Sequence, residues 1–124
     1  MRRTPGRGPD TLKTSAEFQR VFAGEFRFFR SGMGFYARSA EGNAFRFGLV
    51  APKRFGLAVE RNQFRRRVRE VIRLSPELPL GFDVVICVAK PCRELGFDVV
   101  RKTLHWAWGR LRRAKDPRPA VTGG

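Results

Sequence analysis

The sequence predicts one two-layer α+β domain in which helices cover a sheet, and three observations carry that expectation. Residues 33–38 and 45–51 alternate between two side-chain sets with the period of half-buried strands. Residues 82–89, FDVVICVA, form a nearly continuous apolar run rich in β-branched residues, as expected of a strand in the sheet interior. Three other stretches repeat apolar side chains at helical spacing. At 124 residues the chain is long enough for one domain and too short for two ordinary ones.

Residues 1–10, MRRTPGRGPD, have the Pro/Gly/Arg composition of a disordered basic arm. Thr14 with Glu17 makes a capping-box pattern for a first helix, on which Phe18, Val21 and Phe22 share one face. Both phenylalanines fit a core role, and both fit an aromatic face left at the edge of a cleft. Arg27, Phe28, Phe29 and Arg30 interleave rings with guanidiniums, a pattern shared by single-stranded nucleic-acid paths and by ordinary strand starts.

Met33, Phe35 and Ala37 alternate with Gly34, Tyr36 and Arg38, and Glu41-Gly42-Asn43 supplies a turn. Phe45, Phe47, Leu49 and Ala51 alternate with Arg46, Gly48 and Val50, which reads as the partner strand of a hairpin. One face then buries aromatics and aliphatics while Tyr36, Arg38 and Arg46 point to the other, a plausible nucleic-acid surface. Gly48 leaves room there for a helix or ligand. Pro52 ends the ladder, and Lys53, Arg54 and Gly56 form a basic turn into a second helix starting near Val59. Ser75-Pro76 and Pro79-Leu80-Gly81 close it. A last helix is expected over 95–113, with Phe97, Val100, Leu104, Ala107, Trp108 and Leu111 toward the sheet and Trp106 off that stripe. Residues 114–124 read as a disordered tail.

The second helix carries the chemistry. Phe64, Val68, Val71 and Ile72 fall on one arc; Arg61, Asn62, Arg65, Arg66, Arg69 and Arg73 fill an adjacent one, with Arg67 and Glu70 expected toward the far side. Between Arg61 and Arg73 six arginines face one acid, Glu70, so i,i+4 pairing leaves their repulsion largely unrelieved. A polyanion relieves it, and the planar guanidinium fork grips phosphate bidentately and stacks on bases. Asn62 adds a donor and an acceptor for a base edge or ribose hydroxyl. The whole chain, with 26 Lys plus Arg against 11 Asp plus Glu, carries +15, far beyond what solubility needs.

Catalytic patterns are absent. One histidine, His105, cannot make a two-histidine nuclease site, Asp83 and Asp98 are isolated, and Glu60 and Glu70 flank arginines as ion-pair partners would. Cys87 and Cys92 are too few for a zinc set or disulfide scaffold and should be reduced. No run approaches the roughly 18 apolar residues of a membrane span, and the first residues lack a signal-peptide apolar region, so a cytoplasmic RNA binder is expected.

Residues 46–70, RFGLVAPKRFGLAVERNQFRRRVRE, resemble the signature of the bacterial ribonuclease P protein family. Arg46, Gly48, Lys53, Arg54, Gly56, Ala58, Val59, Arg61, Asn62, Arg66 and Arg69 stand where that pattern puts their residue types; Arg65 takes a usual lysine position and Pro52 a usual serine position. The upstream LKTSAEFQRVFAGEFRF fits too, so the resemblance covers residues 11–113. It implies an α-β-β-β-α-β-α order, a mixed four-stranded sheet and a left-handed crossover through the arginine helix. It also implies a protein partnered with a catalytic RNA that removes the 5′ leader of precursor tRNA using Mg²⁺ bound chiefly by RNA. No membrane or small-molecule substrate enters that picture. The resemblance puts Arg61, Asn62, Arg65, Arg66 and Arg69 against the catalytic RNA, joined by Lys53 and Arg54 of the basic turn and Arg73 of the same helix face, and Phe18, Phe22 and Tyr36 against the leader, joined by Arg38 and Arg46 of the same sheet face. A general RNA-binding or ribosomal protein is the alternative, sharing the charge and aromatics without stimulating cleavage.

Overall fold

The computed structural model describes residues 9–115. The basic arm expected over 1–10 and the tail expected over 114–124 fall almost wholly outside them. The elements run β1 (Asp10–Thr11), α1 (Ser15–Phe22), β2 (Phe26–Arg30), β3 (Met33–Ser39), β4 (Phe45–Val50), α2 (Ala58–Leu74), β5 (Phe82–Val88) and α3 (Phe97–Lys115). Short 3-10 turns, Lys53–Phe55 and Cys92–Glu94, lead into α2 and α3. The expected order therefore holds, with one addition: β1 makes the sheet five-stranded instead of four-stranded. Its two residues pair in parallel with Arg46 and Phe47, too short a segment to carry a periodic signal.

The strand order is β1-β4-β5-β3-β2, which corrects the expected β3–β4 hairpin. The hairpin is β2–β3, turning through Ser31 and Gly32, both at positive φ. β5 is inserted between β3 and β4, antiparallel to the first and parallel to the second. Its composition explains the insertion. A strand whose residues are apolar on both faces is best placed with a neighbour on each edge and a covered layer on each side. Six of its seven residues are buried.

Phe64, Val68, Val71 and Ile72 of α2 and Val100, Leu104, Ala107, Trp108 and Leu111 of α3 pack on one face of the sheet, against Met33, Phe35, Phe47, Phe82, Val84 and Ile86. Burying a side chain of this size contributes roughly 1.5–3 kcal/mol, so this layer supplies most of the hydrophobic stabilisation. Phe97, expected in that stripe, is 42% exposed. The 3-10 turn displaces the start of α3 two residues past the expected Leu95, and Leu95 takes the buried place. Trp106 packs edge-on against Phe28, 5.3 Å between centroids.

α1 lies on the opposite face in a smaller cluster of Leu12, Val21 and Val85, with Phe18, Tyr36, Val50 and Cys87 packed around it. Helices thus flank the mixed sheet on both faces, but α1 has eight residues and covers only part of its side. The strip of that face beside α1, where Phe29 is exposed and Tyr36 half-buried, stays open as a shallow cleft edge. Thr14 and Glu17 make the expected capping box at its start.

Candidate nucleic-acid interface

Two surfaces with different chemistry emerge. On α2, Asn62, Arg65, Arg66, Arg69 and Glu70 line a shallow groove. Arg65 Nη1 donates to Asn62 Oδ1 at 3.2 Å, which leaves the Asn62 amide N–H groups facing outward as donors. Arg66 and Arg69 are exposed and make no ion pair among the described residues.

Glu70 is in this groove and not on the far side, because four residues on from Arg66 is only about 40° around a helix. It pairs with Arg73, Nη2 to Oε2 at 2.6 Å, and that hydrogen bond raises the Arg73 pKa. Arg73 is thus partly satisfied within the chain. Arg67, also expected on the far side, is half-buried and donates to the Leu95 carbonyl at 3.1 Å, tying α2 to the entry of α3.

The turn before α2 is clamped by the helix itself. Gly56 has φ 152°, a conformation open to glycine, and a Cβ there would lie 2.8 Å from Glu60 Oε1. Glu60 Oε1 accepts the Leu57 N–H at 2.9 Å, and Arg61 Nε donates to the Gly56 carbonyl at 3.1 Å. Glu60 was expected to pair with an arginine; it caps the helix start instead. Arg61 therefore has a structural role alongside any contact with a ligand. Lys53 and Arg54 are exposed on the preceding turn, with Arg54 over the Phe55 ring at 4.7 Å.

The second surface is the open sheet face beside α1. Phe22 is 38% exposed and meets Tyr36 edge-on at 4.9 Å; Phe29, 52% exposed, also meets Tyr36 edge-on, at 6.1 Å. Three rings thus line one cleft, two of them expected from the sequence. Phe29 was missed because Phe28 and Phe29 look alike in the sequence, and only the pleat assigns the first to the core and the second to the cleft. Its register partner Gly34 is the signal that could have found it: a Cβ at Gly34 would lie 2.4 Å from the Phe29 ring. Gly48 gives Phe18 the same clearance, at 2.4 Å, so Phe18 is half-buried against the sheet while Phe22 stays open.

Arg38, Asp83 and Arg46 stand in register across β3, β5 and β4. Asp83 is 2% exposed; Arg46 reaches it through Nε at 3.1 Å and Nη2 at 2.9 Å, and Arg38 Nη1 through a longer 3.5 Å contact. Arg46 Nη1 also donates to Glu17 Oε2 at 3.0 Å, so one guanidinium joins α1 to the central strand. The Asp83 hydrogen bonds raise the Arg46 pKa. Of the two arginines expected on the leader surface, Arg46 is thus held by Asp83 and Glu17, and Arg38 is engaged only by its one longer contact to Asp83. Burial pushes the thiol of Cys87, packed in the cluster under α1, up to about 11, so it is not a thiolate at neutral pH.

Backbone N–H groups of Lys13 and Thr14, with Arg46, hold Glu17 below its ordinary 4.5. A carboxylate depressed in the folded state stabilises above its unfolded pKa and loses that contribution as pH falls through the folded value. Acid should therefore loosen α1 from the sheet once pH drops below 4.5. Glu17→Gln should flatten the melting temperature against pH in this window; an unchanged profile would contradict the assignment.

A profile of the family described as Ribonuclease P matches residues 7–112. The chain belongs to the bacterial ribonuclease P protein family. Among its relatives, the ribonuclease P protein component of Bacillus cereus strain 03BB102 is 38% identical over 95 residues, covering 75% of this chain and 83% of that protein. The RNase P protein from Thermotoga maritima superposes with a TM-score of 0.72 at 27% identity, covering 82% of this chain and 96% of that one. The Staphylococcus aureus RNase P protein shares the fold, with a TM-score of 0.71 at 24% identity over 85% of this chain and 94% of that one.

A ribonuclease P protein is the non-catalytic protein component of the ribonucleoprotein that processes precursor tRNA, and its partners are the RNA subunit and that substrate. Catalysis is Mg²⁺-dependent and belongs to the RNA. Among the described residues no three of His, Cys, Asp and Glu are placed to hold a metal ion. The acids nearest both surfaces are engaged, Glu17 and Asp83 by Arg46 and Glu70 by Arg73, so they do not fit an inner-sphere Mg²⁺ site. Among the described residues no helix is long and apolar enough to cross a membrane.

Proposed function

We propose that the ribonuclease P protein divides its two polyanionic partners between these surfaces. The catalytic RNA meets the α2 face, through Lys53, Arg54, Arg61, Asn62, Arg65, Arg66, Arg69 and Arg73. The single-stranded 5′ leader enters the cleft, where Phe18, Phe22, Phe29 and Tyr36 offer apolar and stacking surface. The observation that carries this reading is the Phe22–Tyr36–Phe29 ring cluster, left open on the side where α1 ends. Rings accept any base by stacking, and a processing enzyme that meets leaders of many sequences needs that tolerance.

Within this scheme Arg46 is a positioning residue that fixes α1 against the sheet, and Arg38, with a longer bond to Asp83, keeps donors to offer phosphate. Arginines on α2 lower the repulsion between two polyanions and displace their counterions. The protein thus brings RNA and substrate together at a lower Mg²⁺ concentration than RNA alone requires. Cleavage of precursor tRNA at low Mg²⁺ tests this with protein alone, RNA alone and both together. Activity confined to the combined reaction supports it, whereas tight RNA binding without stimulation opposes it.

Gly34→Ala gives a sharper test of the cleft. The new methyl would displace the flexible, exposed Phe29 ring and cost little stability. Affinity for leader-bearing substrate should fall about fivefold, as for partial loss of one stacked base, while mature tRNA binding stays unchanged. Equal losses on both substrates would sink the leader assignment.

A further inference from the structure

Behind the cleft, on the sheet face that carries α3, lies a second basic-aromatic cluster. Arg30 stacks over the Trp106 ring at 4.8 Å, and Arg110 spans Phe28 at 4.9 Å and Trp106 at 5.8 Å. Trp106 is half-buried, Arg30 and Arg110 are exposed, and neither arginine makes an ion pair among the described residues. Trp106 and Arg110 are four residues apart on α3, which places them on one helical face beside the buried stripe. Two unpaired guanidiniums held over an indole offer phosphates two forks, and a base can stack on the outer faces of their planes, with the ring as the platform beneath.

The cluster adjoins the cleft through a single strand. β2 is the sheet edge, and consecutive residues Phe29 and Arg30 leave it on opposite faces, the first into the cleft and the second onto Trp106. A strand of RNA stacked on Phe29 that turns over this edge meets Arg30 next. The edge itself presents unpaired backbone donors and acceptors along the way.

We propose that Arg30, Trp106 and Arg110 form a second single-stranded RNA subsite, which takes the 5′-distal part of the leader after it leaves the cleft and passes over β2. This rests on the leader occupying the cleft. The subsite makes affinity depend on leader length, and through stacking and phosphate contact it does so with little regard to sequence.

The test uses the holoenzyme with two precursor tRNAs, one whose leader just fills the cleft and one extended at its 5′ end by unstructured pyrimidines. Arg30→Gln with Arg110→Gln leaves the Trp106 ring in place. The double variant should bind the extended substrate about tenfold more weakly, with a shallower salt dependence, and should bind the short-leader substrate like the parent. In a Trp108→Phe background, quenching of Trp106 fluorescence by the extended substrate alone would support the same assignment. Equal binding of both substrates by parent and variant would overturn it, as would equal losses on both. Loss confined to the catalytic RNA without substrate would give the patch to that RNA and also overturn the proposal. Phe22→Ala distinguishes failure of the cleft reading itself: if it changes binding of neither substrate, the leader does not use the cleft.

Discussion

Replacing Arg66 and Arg69 together by glutamine should weaken binding of the catalytic RNA about 100-fold, taking each charge-assisted contact as worth about 1.5 kcal/mol. Both side chains are exposed, unpaired and on the groove face of α2, so the folded chain loses nothing by their neutralisation. The salt dependence should change as well. Each phosphate contact contributes about 0.7–0.9 to the slope of log K against log salt, and the variant slope should be shallower by about 1.5. An unaltered slope and affinity, with the melting temperature unchanged, would mean that RNA does not use this face. Arg61 and Arg73 make poorer probes. Arg61 holds the Gly56 turn and Arg73 is paired with Glu70, so their loss mixes local folding with binding.

The arginine face was legible because it is local. Helical periodicity assigns Phe64, Val68, Val71 and Ile72 to the core and Asn62, Arg65, Arg66 and Arg69 to one outward groove without any knowledge of the sheet. The capping box at Thr14 and Glu17 was readable for the same reason. Pairings over long separations were not. Alternation in β3 and β4 gives each strand a buried face but says nothing of its neighbour, and chain order favours a hairpin. The run in β5 held the missing information, since residues apolar on both faces call for a central position.

The error in topology carried into the site. With β3 and β4 taken as neighbours, Arg38 and Arg46 read only as residues on one outward sheet face; with β5 between them, both face Asp83. An acid that looked isolated in the chain is thus the best-engaged carboxylate near the cleft, and no local pattern around residue 83 announces it. Phe29 was hidden for a related reason: only its register opposite Gly34 shows that the ring has room to lie on the cleft side.

Asp83→Ala should therefore be among the most destabilising single changes near the cleft. Removing one partner of a fully buried pair costs about 3–5 kcal/mol, because the surviving charge stays desolvated. The Arg46 side chain is 29% exposed and keeps Glu17, so water offsets part of the loss. A cost of about 2–3 kcal/mol follows, or on the order of 10 °C in melting temperature for a domain of this size. Asp83→Asn, which preserves shape and one acceptor, should cost less but still release Arg46. Both variants should lower leader affinity through α1, whose only charged tie to the central strand among the described residues runs through Arg46, while leaving catalytic RNA binding on α2 near parental levels below the melting transition. Thermal melts with parallel binding to leader-bearing precursor and to the RNA subunit check this. If Asp83→Ala melts like the parent, the Arg38–Asp83–Arg46 row is not what holds the cleft in shape. If it destabilises but spares leader affinity, the aromatic rings set the cleft without help from the ion pairs beneath them.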